Sequence, residues 1–240
     1  MFLGGKGDRC FHPWQYFVNY NAILNAGRSK SLGDTMTISR RAFVAGLPLF
    51  FAACSVTEYR SDFQNYAAVP HPRFPLPALS PEKIKPELRR REVAYDTKHK
   101  AGTVVVDTPE RRLYYVMGDG RAMRYGIGVG REGLALSGNA RVGRKAEWPS
   151  WTPTQNMINR DPRNRQFAGG MPGGLSNPLG ARALYLYRGN ADTMFRIHGT
   201  NQPQSIGLAV SSGCVRMLNH DVVDLYERVP VGANVVVIQA

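Results

Sequence analysis

The chain has 240 residues, 43% of them hydrophobic, with 25 glycines and 16 prolines: room for one ordinary domain with appendages, and a turn content that favours short strands over long helices. The formal charge is +13, from 31 Lys and Arg against 18 Asp and Glu, but the basic residues are scattered. With no aromatic-interleaved basic stripe they argue against a nucleic-acid partner and leave an acidic envelope polymer or anionic membrane surface to account for the charge. Cys10, Cys54 and Cys214 are the three cysteines; an odd count without close pairs gives no disulfide framework, and no His/Cys cluster has metal spacing.

In chain order, residues 1–35 precede Met36, the expected true start, and read as an upstream extension or mis-assigned start in which Cys10 and His12 carry no function. Residues 36–54 read as an export signal. Ser39, Arg40, Arg41 and Phe43 resemble the twin-arginine signature, a receptor-read address. The apolar run from Ala42 to Ala53 is twelve residues, short of the about 20 needed to span a bilayer; a buried helix behind two arginines is the alternative. "FAAC" resembles the end of a lipoprotein signal, although Phe51 stands where leucine is usual. Lipidation of Cys54 would tether the domain to a membrane on the periplasmic side, whereas simple cleavage would give a soluble product. Residues 55–100, rich in proline and charge, predict a linker or an arm packed on the domain.

From residue 101 the pattern is β. Strands are predicted at Thr103 to Val106, Arg112 to Met117 and Met123 to Val129, with further strands in "ALYLYR", in "TMFRIHG" ending near His198, and in the closing "ANVVVIQA". Between the last two, Asn219 or Asp221 caps a short helix with Val222, Leu225, Tyr226 and Val229 on one face, and Pro230 ends it. His220 is expected at the surface of this helix.

The chemistry-bearing stretch is "IHGTNQPQSIGLAVSSGCVRM". A thiol becomes a good nucleophile when a base takes its proton, and His198 at a strand end with Cys214 in a glycine turn can meet across a loop. Gly213 allows a sharp turn whose backbone N–H groups can serve as an oxyanion hole. The residues alone also allow a buried structural thiol and a loop histidine.

"IHGT" followed by "SSGCVRM", with "NPLGARALYLY" upstream, resembles the L,D-transpeptidase catalytic domain of the YkuD type over roughly residues 101–240. The resemblance implies a mainly β, L,D-transpeptidase-type β-sandwich with a short helix after the catalytic cysteine. It implies Cys214 as nucleophile, His198 as base and the Gly199 carbonyl as the group orienting the imidazole. Ser212 stands where many members have a second histidine, so His198 is the motif's one candidate base, and Ser212 and Gly213 are left to shape the turn. The resemblance places Arg216 and Ser211 toward substrate, Arg216 gripping a carboxylate of diaminopimelate or D-alanine unless it ion-pairs with Asp221 or Asp224. Trp148 and Trp151 wall the cleft or pack in the core, and Asn177, Pro178 and Gly180 shape its loop. The implied reaction is peptidoglycan cross-linking, or attachment of protein to peptidoglycan, through a thioester, with no cofactor or metal. The expected partner is the peptidoglycan stem peptide, and a monomer is expected. An L,D-carboxypeptidase or a non-catalytic peptidoglycan-binding lipoprotein are the alternatives.

Overall fold

Valine-rich runs bounded by glycine turns make the frame. The computed structural model describes residues 62–130, 136–211 and 213–239, so the readings on residues 1–35, the export signal, Cys54 and Ser212 lie outside the described residues. The strands are β1 (Arg91–Ala94), β2 (Val104–Asp107), β3 (Arg112–Gly118), β4 (Arg121–Gly126), β5 (Val129–Gly130), β6 (Gly138–Glu147), β7 (Arg182–Arg188), β8 (Ala191–His198), β9 (Ala209–Ser211), β10 (Val215–Arg216) and β11 (Asn234–Ile238). The α-helices α1 (Gln155–Arg160) and α2 (Asn219–Arg228) accompany them.

Nine strands form one sheet in the order β1-β4-β3-β2-β11-β6-β7-β8-β10, and β5 pairs with β9 beside it. The closing strand β11 enters the centre, parallel to β2 and antiparallel to β6. The sheet curls over on itself. Just past β4, Gly128 donates to the Arg216 carbonyl at 2.9 Å and accepts from the Arg216 N–H at 2.8 Å, joining one flank of the sheet to β10 at the opposite edge. Between the flanks lies one core: Val104, Leu113 and Tyr125 from one side, Leu184, Ile197 and Met217 from the other, and Val222, Leu225 and Val229 from α2. This is the mainly β, sandwich-like frame expected, with the short helix following Cys214 after β10.

Residues 62–94 lie on the domain. Tyr66, Ile84 and Leu88 are buried against Ile206 and Leu218, and β1 extends the sheet along β4. Two expectations on α2 need correcting. Its N-cap is Leu218, with no side-chain cap, because the Asn219 side chain is engaged elsewhere. His220 is buried, not exposed, with its ring 6.0 Å from that of Tyr66; the arm covers it, which helix periodicity alone does not reveal. Among the described residues no helix is long and apolar enough to cross a membrane.

Candidate active site

Two adjacent rows across the sheet assemble the site. Strand β10 runs parallel to β8 with Arg216 level with His198, and the Met217 N–H donates to the His198 carbonyl at 2.8 Å. On the other side of β8, His198 faces Ala183 of β7, which faces Ala146 of β6. One row back, Arg196 faces Tyr185 and Tyr185 faces Arg144. Cys214, one residue before β10, stands level with Arg196, whose backbone hydrogen-bonds the sulfur. Side chains two apart share a face of a strand. Hence Cys214, His198 and Arg216 all open into one cleft of about 840 Å³, together with Arg144, Tyr185 and Arg196.

The imidazole is fixed. His198 Nδ1 lies 2.6 Å from the Gly199 carbonyl oxygen; a carbonyl only accepts, so Nδ1 carries the hydrogen and Nε2 is left with a lone pair. Burial lowers the His198 pKa to about 4; the Gly199 hydrogen bond opposes that, and the charges of Arg216 and Arg196 add to it. Burial pushes the Cys214 thiol up, against the Arg196 backbone hydrogen bond and the charges of Arg196 and Arg216. The resting pair is therefore neutral thiol and neutral imidazole. Asn219 holds the corner: its Oδ1 accepts from the Ala181 N–H at 3.0 Å and the Thr200 N–H at 3.1 Å. A Cβ on Gly199 would sit 2.2 Å from that oxygen, which is why glycine follows the histidine.

The family model for the L,D-transpeptidase catalytic domain, YkuD, matches residues 101–238. The chain belongs to this family. The probable L,D-transpeptidase ErfK/SrfK of Escherichia coli K12 is 39% identical over 147 residues, covering 60% of this chain and 45% of that protein. The probable L,D-transpeptidase YbiS of the same strain is 38% identical over 144 residues, covering 58% and 45%. The chain thus spans a little under half the length of these two relatives. A solved structure from Brucella melitensis, described as a probable carnitine operon oxidoreductase, is 51% identical and covers 65% of this chain and 97% of that chain, with a TM-score of 0.45.

Around the L,D-transpeptidase motif the remaining residues sort themselves by contact. Trp148 does both things open to it in the sequence: it is buried against Phe74 at a ring distance of 5.1 Å and borders the cleft. Trp151 borders the cleft too and leans on Phe167. Arg216 points its Nη1 at Gln202 Oε1, 3.5 Å away, while Asp221 and Asp224 answer Arg90 and Arg228, so its ion-pair alternative is not what the structure shows. Asn177 is buried and bonds the Met171 and Pro172 carbonyls, shaping the loop as expected, and Pro178 lines the cleft. The backbone of Ser211 pairs in β9 with Gly130. Sequence reasoning missed Arg144, Tyr185 and Arg196, which only strand register brings together. It also missed Met194, whose φ of 63° is rare for a side chain of that size. Met194 sits where β7 and β8 slip register, and its carbonyl lies 3.9 Å from the Cys214 sulfur as the thiol's acceptor.

Proposed function

We propose that this protein is a peptidoglycan L,D-transpeptidase working through a thioester on Cys214. The observation that carries the reading is the Nδ1 contact of His198 with the Gly199 carbonyl, which leaves Nε2 as the acceptor of a residue that lines the same cleft as Cys214. Nε2 takes the thiol proton as Sγ attacks the carbonyl before the terminal D-alanine of a stem tetrapeptide, then gives it to the departing D-alanine amine. An acceptor amine next attacks the thioester; its proton passes through His198 to the sulfur as the C–S bond breaks. The turn at Gly213, with φ of 121°, supports backbone N–H groups there as stabilisers of the tetrahedral oxyanion. Arg216 supplies a guanidinium for a substrate carboxylate, and Trp148 and Trp151 wall the cleft. The twin-arginine-like segment and Cys54 add export to the periplasm and a lipid tether to this reading, with the catalytic domain acting as a monomer.

Incubation with a disaccharide tetrapeptide tests it. D-alanine release with formation of cross-linked dimer is expected, both abolished in Cys214→Ala. Release without dimer would make water the acceptor and the protein a carboxypeptidase. A wild-type protein giving neither product, and no mass adduct with a carbapenem, would be a binder.

A further inference from the structure

The cleft carries more positive charge than its own acids answer. Tyr185, at the middle of the row that ends on Cys214, has two guanidinium carbons close to its ring centroid: Arg144 at 3.6 Å and Arg196 at 4.3 Å. Arg196 is already committed, its two Nη atoms on the two carboxylate oxygens of Asp192 at 2.7 and 3.0 Å. The acids that line the cleft, Glu147 and Asp161, are held by Arg182 at 3.4 Å and Arg163 at 2.9 Å. Among the described residues Arg144 has the Tyr185 stack and a Coulombic pull on Asp192, but no ion pair or hydrogen bond of its own. A planar guanidinium laid on an aromatic ring is pre-oriented, with its edge donors left to meet a carboxylate in the plane.

The geometry points to Arg144 as a specificity residue that binds the side-chain carboxylate of the diaminopimelate residue in the acyl donor. This rests on the transpeptidase reading above, which puts the scissile carbonyl at Cys214. From the strand of Cys214 to that of Tyr185 is two strand spacings, about 10 Å. In diaminopimelate six carbon–carbon bonds of about 1.5 Å separate the reacting carbonyl from the far carboxylate, a zigzag reach of roughly 7–8 Å. A donor laid along the row from the sulfur therefore delivers that carboxylate over Tyr185, where the Arg144 guanidinium lies. Arg216, in the neighbouring row beside His198, is left for the carboxylate of the departing D-alanine. The Arg144 contact is made alike in ground and transition states, so it acts on binding more than on turnover.

The test is binding to the full-length Cys214→Ala protein, measured by calorimetry with two stem tetrapeptides, one unmodified and one with the diaminopimelate side-chain carboxylate amidated. The unmodified peptide is expected to bind the parent at least about tenfold tighter than the amidated one. Arg144→Gln should erase that preference, weakening the first peptide at least about tenfold while leaving the second unchanged. Equal weakening of both peptides, or an Arg144→Gln protein that still prefers the unmodified peptide, overturns the assignment. A parent that binds both peptides with one affinity overturns it as well, with the transpeptidase reading intact. A parent that binds neither removes the transpeptidase reading, and the Arg144 assignment falls with it.

Discussion

Burial moves the sulfur and the imidazole in opposite directions, and that choice of resting state is open to measurement. A thiolate–imidazolium pair would need His198 to hold its proton near neutral pH, whereas burial takes its pKa down to about 4. Below that value Nε2 is protonated and cannot accept from the thiol; above it the base is ready. Acylation by a carbapenem should therefore lose rate with an acid limb near pH 4, and no limb between pH 6 and 7. Alkylation by iodoacetamide asks instead for thiolate without help from substrate. With burial raising the Cys214 pKa, it should stay slow through neutral pH and rise only in the alkaline range. An alkylation rate already flat at pH 5 would mean that the ion pair exists at rest. That these two residues line one cleft was legible from the family resemblance of their motif, since residue types and order alone left a structural thiol and a loop histidine open. Their charge state was not, because it depends on how deeply the corner is covered.

At the scale of elements, the corner is set by α2 meeting the turn after β8. Asn219, which reads in sequence as a helix cap, uses its carbonyl oxygen to satisfy the backbone donors of Ala181 and Thr200, and so ties the loop that carries the Gly199 carbonyl. Asn219→Ala leaves two donors without that acceptor, at about 1–3 kcal/mol each. It should also lower the acylation rate constant more than substrate affinity, because the imidazole loses its support rather than its substrate. Asn219→Asp keeps an acceptor at the same place and should recover most of the rate, followed by stopped-flow acylation. The strands rich in valine and aromatics were visible in sequence within a few residues. The longest, β6, was not: "GNARVGRKAE" lacks alternation because Arg144 and Ala146 on one of its faces border the cleft instead of core. A strand that builds a binding face gives up the periodicity by which strands are recognised.

For the molecule as a whole, the question is what fastens the arm that precedes the sheet, since its Phe74 and Leu76 pack behind the cleft residue Trp148. Its proline and charge content left linker and packed arm equally open; the packing is decided by contacts too distant in sequence to show a pattern. Arg90 is the chief tie. It is buried, and it places Nη1 3.2 Å from Asp224 and Nε 4.0 Å from Asp221, both on α2, while Nη2 holds the Asn65 carbonyl at 2.8 Å. Asp224 is shared with Tyr125 and Arg228, but Asp221 is fully buried, and burial pushes its pKa up to about 7, with Arg90 lowering it and Asp224 raising it. A carboxyl raised on folding costs stability as pH climbs through that value, and Arg90 limits the cost by favouring the charged form. Removing one partner of a buried pair costs about 3–5 kcal/mol when the other stays charged. The deficit of Arg90→Ala in urea unfolding should therefore be smallest near pH 5, where Asp221 is protonated, and grow through pH 7 toward pH 9. Adding Asp221→Asn should recover the pH-dependent part and leave the part owed to Asp224. A deficit of the same size at pH 5 and pH 9 would show that Arg90 fastens the arm through its hydrogen bonds and packing rather than by answering the charge of Asp221.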